Sequence, residues 1–360
     1  MYALVPSARR ARLLVPLAPG QAAASAMCRF SAASTSRDVL TRLAVAGLTR
    51  STAGLLLRDQ VVMGVGGSAR QESLRQHLGQ VLNEPVSVSM GVGPARVNRK
   101  PVLQVFDRRG RTVAFAKVGD SAQAASDVRS ETVALRRLEG RPLGCLSVPR
   151  VLDASPWNGM EVLLMSPLRA RARLGRPTDE RAPLQAMADL VEAFEEPALP
   201  VGELAWWERQ CATVDEVADP ELRSSLQHCL RVVLGRHGWA TVPVGAWHGD
   251  WTPWNMARSG ARVLVWDWER FETGVPTGLD VWHYRVNAAT RQRGLRADVV
   301  LDALARGGGD EGGSAMLADL YLVAIAVRYA GLLSAARGAD VAPSAQVMVT
   351  ALETRTRSDP

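Results

Sequence analysis

The feature that most constrains this chain is a change of hydrophobic period near Pro167. Upstream of it, Val86, Val88 and Met90 alternate with Ser87 and Ser89, and further short apolar runs occupy 102–106, 112–118, 148–152 and 161–165. A period of two is the mark of strands. Asp107-Arg108-Arg109-Gly110 reads as the turn between two of them. One helical pattern, 121–138, interrupts the run of strands. Downstream, spacings of three and four predict helices at 181–194, 203–217, 221–236 and 315–336. The chain therefore reads as a small strand-rich lobe followed by a larger helical lobe, and 360 residues suffice for both.

The boundaries expected on this basis are an N-terminal basic extension at 1–80, a small lobe at 81–168 and a helical lobe at 169–360. Within the extension we expect a strand at 12–17, a helix capped by Ser36 and a glycine-rich break at 64–68; a helix over 68–82 runs into the small lobe. The net charge of +7 is uneven: residues 1–60 hold eight arginines against Asp38 and Asp59, and the rest is nearly neutral. A nucleic-acid partner is therefore not expected. No run of 18 apolar residues is seen, so no membrane-spanning helix is expected. Cys28, Cys145, Cys211 and Cys229 have no metal or disulfide spacing, which fits a reducing compartment and a cytoplasmic location. Only Lys100 and Lys117 among 43 basic residues are lysine. Where arginine is so favoured, a retained lysine points to a place where only a compact ammonium serves.

The strongest chemical signal is His248-Gly249-Asp250-Trp251-Thr252-Pro253-Trp254-Asn255, followed twelve residues later by Asp267 in the apolar run 263–269. An aspartate inside a strand-like apolar run is costly unless it is paired or bound to metal. A loop aspartate, an asparagine five residues on and a strand aspartate supply one carboxylate for a hydroxyl proton and two oxygen ligands for Mg²⁺. Phosphoryl transfer needs that set, because its catalysis is mostly positioning and charge neutralisation. Upstream, Val128, Glu131, Leu135 and Leu138 share one helical face, so Glu131 points inward and needs a cation. Lys117, at the end of the third strand, is the obvious one; its bland reading is an edge-strand lysine.

These residues resemble the aminoglycoside phosphotransferase and choline kinase-like family. Its pattern of His-Gly-Asp, four residues, Asn, then a strand ending in Asp-Trp-Glu is matched here in order and spacing. Trp251 and Met256 depart from the family's usual Leu and Ile without removing a polar function. The resemblance spans roughly 84–290 and implies a two-lobed protein-kinase-like α+β fold with a small antiparallel-sheet lobe. It implies Asp250 as the catalytic aspartate, Asn255 and Asp267 as Mg²⁺ ligands, and His248 as a brace for the loop. Lys117 would contact the nucleotide phosphates and Glu131 would orient it. Gly91 and Gly93 would form a phosphate-covering loop, with Arg96 and Lys100 adding charge. Ser166 or Leu168 would offer a backbone group to the base of ATP or GTP, since Pro167 has no N–H.

The activity so implied is Mg²⁺-dependent transfer of a γ-phosphoryl group from a nucleoside triphosphate to a hydroxyl of a small metabolite such as a sugar, amino alcohol or aminoglycoside. Trp251 and Trp254 offer a platform for a sugar face or cationic headgroup, and Asp280 resembles a structural acidic residue of the family. Two rivals remain open. One is a non-catalytic nucleotide- or metabolite-binding protein on the same fold. The other is a hydrolase with a metal centre of His248, Asp250, Asp267 and His283, which leaves Lys117 and Glu131 unexplained. Acceptor identity and oligomeric state carry no readable signal.

Overall fold

The computed structural model describes residues 1–28, 46–47, 57, 59–62, 72–91, 100–168, 180–307, 312–333 and 341–357. The expected helix from Ser36, the glycine-rich break at 64–68 and the loop positions Gly93 and Arg96 lie outside them, apart from a short helical piece at 46–47. The chain forms two compact units. The first comprises Met1–Gly140, Ser147–Asp179 and Ala257–Glu269; the second comprises Arg141–Leu146, Glu180–Met256 and Arg270–Pro360.

The first unit is built on an eight-stranded antiparallel sheet, β3-β1-β2-β4-β5-β6-β9-β8. Its strands are β1 (Tyr2–Val5), β2 (Leu13–Pro16), β3 (Gln60–Val61), β4 (Ser87–Gly91), β5 (Val102–Phe106), β6 (Thr112–Gly119), β8 (Val151–Trp157) and β9 (Met160–Met165). The apolar stretch Leu13-Leu14-Val15 pairs with the end of β4, Leu14 opposite Met90 and Leu13 opposite Gly91. Residues 1–16 thus continue the sheet instead of forming a separate extension, and they cover an edge that would otherwise expose unpaired amides. Helix α1 (Gly20–Met27) follows and packs Ala22, Ala23 and Ala26 beside Val15 and Phe106. Helix α2 (Leu74–Val81), shorter than expected, opens on a capping box between Ser73 and Gln76 and sends Leu78 into the cluster of Val105, Ala114, Ala116 and Val118.

Helix α3 (Ala122–Leu138) starts where Ser121 accepts from the Ala124 amide at 3.2 Å. Gly119, at the end of β6, lets it come close: a Cβ there would lie 2.5 Å from the Ala125 Cα. Three short strands, β7 (Leu146–Ser147), β12 (Met256–Ser259) and β13 (Arg262–Val265), form a second sheet in the order β12-β13-β7. Ala257–Glu269 counts with the first unit, although sequence reading put it in the helical lobe.

The second unit contains α4 (Arg181–Glu192), α5 (Ala205–Asp215), α6 (Pro220–His237), α7 (Leu279–Arg293), α8 (Ala297–Gly307), α9 (Gly312–Leu333) and α10 (Ala342–Arg357). A small antiparallel sheet joins β10 (Glu196–Pro200), β11 (Thr241–Trp247) and β14 (Glu272–Pro276). Its core gathers Trp206, Trp207, Trp282 and the inner residues of α9. One described segment, Ala315–Leu333, is long and apolar enough to cross a bilayer by length and composition alone, with a mean hydropathy of 1.7. It tolerates two charges that break the plain apolar count, and 67% of it is buried inside the protein. Both charges are satisfied there: Asp319 pairs with His237 and Arg355, and Arg328 bonds a backbone carbonyl. The segment is therefore a core helix of this unit.

Candidate active site

In the first unit, β6 lies between β5 and β9, with Lys117 opposite Val102 on one side and Leu163 on the other. Lys117 is thus on a central strand, and the edge-lysine reading fails. Its Nζ donates to Glu131 Oε2 at 2.5 Å and to Asp267 Oδ1 at 2.6 Å. Glu131 is fully buried on α3, and its second oxygen accepts from the Trp268 amide at 3.3 Å. Burial works to strip the Lys117 proton, but the Asp267 and Glu131 carboxylates outweigh it and the ammonium is held more firmly than usual. Burial pushes the Glu131 carboxyl up, and the adjacent ammonium opposes that shift.

Asp267, just past β13, adopts φ +73°, a left-handed conformation that costs a non-glycine residue roughly 1–2 kcal/mol. The chain accepts that cost where Asp267 must meet Lys117 and still expose 34% of its side chain. Lys100 belongs to the same cluster: it pairs with Glu269 and with Asp127 Oδ2, the latter at 3.2 Å. Burial, then the nearby Lys117, lower its pKa. The only two lysines of the chain therefore converge on one set of carboxylates.

The carboxylate oxygens of Glu131, Asp267 and Glu269 lie within 4.8 Å of one another, the only such grouping among the described residues. With Asp127, four carboxylates face two ammoniums, an excess of two negative charges. Hard oxygen donors with that surplus fit a divalent cation such as Mg²⁺.

In the second unit, β11 ends at Trp247 and the His-Gly-Asp loop begins. Gly249 has φ +78°, and a Cβ there would lie 2.4 Å from the Arg270 carbonyl oxygen, so only glycine fits. Asp280, in the first turn of α7, accepts the amides of His248 at 2.6 Å and Gly249 at 3.1 Å. Burial raises its carboxyl to about 7 despite those two donors and the nearby Arg328. Arg328, from α9, donates to the Gly249 carbonyl at 2.5 Å and lies over the Trp247 ring. His248 is fully buried, its Nδ1 accepts the Asp250 amide at 3.1 Å, and its ring meets Trp251 edge-on. That engagement braces the loop and counts against His248 as a metal ligand of a hydrolase.

Asp250 itself is 38% exposed. Asn255 Nδ2 donates to its Oδ2 at 2.9 Å and to its carbonyl at 3.0 Å, which turns the Asn255 amide oxygen the other way, as an oxygen ligand requires. His283 Nε2 lies 3.1 Å from Asp250 Oδ1.

Trp251 is fully buried and cannot form a platform for a substrate; the partly buried Trp254 carries the Arg291 guanidinium over its ring at 5.4 Å. The Ser166 amide already donates to the Arg150 carbonyl at 2.8 Å, so of the two backbone donors considered for a base it is the occupied one. The Leu168 amide has no such bond among the described residues. Gly91 ends β4 as the pairing partner of Leu13. Sequence reading missed Arg328 and the place of His283. A lone arginine in the apolar stretch 315–333 was the available signal for the first, and the Asp280-x-x-His283 spacing for the second.

An antiparallel-sheet unit with a lysine–glutamate pair, together with a largely helical unit bearing the aspartate loop, defines a protein-kinase-like α+β fold. Residues 102–313 match the phosphotransferase enzyme family, and the chain belongs to that family. Among solved structures it is similar to a thermostable mutant of aminoglycoside phosphotransferase APH(4)-Ia in its apo form. The TM-score is 0.55 at 17% identity, over 79% of this chain and 100% of that one. A ternary complex of a mutant of that enzyme with ADP and hygromycin B gives 0.54 at 16% identity, over 80% and 100%. No curated protein matches the sequence.

Proposed function

We propose that this protein transfers the γ-phosphoryl group of ATP or GTP to a hydroxyl of a small metabolite in an Mg²⁺-dependent reaction. The observation that carries the reading is the buried Lys117 ammonium held by both Glu131 and Asp267. A lysine braced in this way presents a fixed positive charge to phosphate oxygens and cannot swing away. Asp250 accepts or orients the proton of the acceptor hydroxyl. As the acceptor oxygen bonds to the γ-phosphorus, the bond to the β,γ-bridging oxygen breaks. The products are a phosphate ester, the nucleoside diphosphate and one proton, which leaves through Asp250. Asn255 and Asp267 would hold Mg²⁺, which neutralises phosphate charge when bound. The Leu168 amide is the proposed donor to the base, and Gly91 the start of a phosphate-covering segment. Sugars, amino alcohols and aminoglycosides are the acceptors to try first.

The test is transfer of labelled γ-phosphate from ATP and GTP to that panel, with wild type and Asp250→Ala. Transfer by wild type that the variant lacks is the expected result. Equal transfer by both would remove Asp250 from the reaction.

A further inference from the structure

The catalytic loop offers one carboxylate with both oxygens held by side-chain nitrogens, one of an amide and one of an imidazole. Asn255 Nδ2 occupies Oδ2 at 2.9 Å, and His283 Nε2 faces Oδ1 at 3.1 Å. His283 sits one turn after Asp280 on α7. Residues three apart share a helix face, so a single face of α7 holds the loop's backbone through Asp280 and its reactive side chain through His283. The imidazole is set behind the carboxylate: the His283 side chain is 9% exposed, against 38% for Asp250.

The partners on the two sides of the ring bear on where its proton sits. An ionised Asp250 only accepts, so His283 Nε2 must carry hydrogen. On the other side of the ring the Tyr321 hydroxyl lies 3.4 Å from Nδ1, with the two rings edge-on. Tyr321 is fully buried, and burial pushes its phenol up, so it stays O–H and can donate. With Tyr321 donating, Nδ1 accepts and the ring carries its proton on Nε2; a phenol that accepts instead would require a proton on Nδ1.

We infer that His283 is a positioning residue for Asp250: it donates from Nε2 to Oδ1 and fixes the carboxylate's orientation, while Tyr321 fixes the tautomer that makes it a donor. The inference rests on the phosphotransferase reading above. A neutral donor fixes the oxygen without cancelling the charge that draws the acceptor's proton. An arginine at the same place would hold Asp250 and also blunt it.

The test uses the full chain and needs no acceptor. Hydrolysis of MgATP and MgGTP by water reports on turnover, and nitrogen-15 spectra of the five histidines report on the tautomer. His283→Leu should lose turnover on the order of 10²-fold with the nucleotide KM unchanged, the scale expected for a misplaced reacting group. His283→Gln keeps an amide donor at similar reach and should recover most of that loss. Tyr321→Phe should weaken the Nε2–H tautomer. Melting temperatures close to wild type establish that each variant is folded. Wild-type turnover in His283→Leu overturns the inference. So do two folded variants that are equally slow, or a wild-type His283 protonated on Nδ1. If wild type neither binds nor hydrolyses either nucleotide, the phosphotransferase reading fails and takes the inference with it. A wrong tautomer in an active enzyme would sink the inference alone.

Discussion

The two units hold their polar residues in opposite ways. In the first, charge meets charge: Lys117 with Glu131 and Asp267, and Lys100 with Asp127 and Glu269. In the second, the Asp250 carboxylate meets the Asn255 amide and the His283 imidazole, and neither lysine nor arginine pairs with it among the described residues. Under the phosphotransferase reading proposed above, the difference follows from the task. Residues that bind phosphate and metal need a fixed charge throughout the reaction. Asp250, as the proposed proton acceptor, needs a fixed place but a free charge, which neutral donors would give it.

The comparison can be broken at its sharpest point by Asp250→Ala. Turnover should fall on the order of 10²–10⁴-fold, while calorimetric nucleotide affinity stays near wild type. Loss of affinity would mean that Asp250 shares the task assigned to the first unit. Next, Lys117→Ala leaves Glu131 and Asp267 without their ammonium. Breaking a buried pair from one side costs about 3–5 kcal/mol, so the midpoint of denaturant unfolding should drop accordingly. Lys117→Arg should not restore function, because a planar guanidinium does not fit where one compact Nζ meets two carboxylates.

A smaller effect is expected in the second unit. Gly249→Ala forces a Cβ towards the Arg270 carbonyl at a positive φ, which costs about 1–2 kcal/mol from the conformation alone. Turnover should fall more than nucleotide affinity. The most gradual effect, spread over about three pH units, concerns Asp280. Its folded pKa, about 7, lies above the usual 3.8, so the folded state binds the extra proton between these values. Stability from this group is therefore greatest at low pH and declines as pH rises through about 7, at no more than roughly 1.4 kcal/mol per pH unit. Asp280→Asn should flatten that slope in melting curves between pH 4.5 and 8.

Much of this was legible before any coordinates. The strand at Val102–Phe106 and the helix ending at Leu138 follow from period and capping alone. Glu131 was placed inward by its apolar neighbours, and the structure sets Lys117 against it. What escaped had weaker local signals. Strands β10, β11 and β14 are short pieces among helices, and α7 carries polar residues on most of its turns. The pairing of Leu13 and Leu14 with the end of β4 is a long-range contact that no local pattern encodes. Trp251 reads as an exposed aromatic beside a catalytic aspartate, yet tertiary packing against His248 buries it. Arg328 acts from 79 residues away in sequence, through a backbone carbonyl that leaves no mark in composition.

The measurement closest to the central claim is calorimetric titration of ATP and GTP, with and without Mg²⁺, into wild type and Asp267→Ala. Wild type should bind at least one nucleotide in an Mg²⁺-dependent manner, and the variant should lose that dependence. No nucleotide binding by wild type under any condition, or undiminished Mg²⁺-dependent binding by the variant, would contradict it.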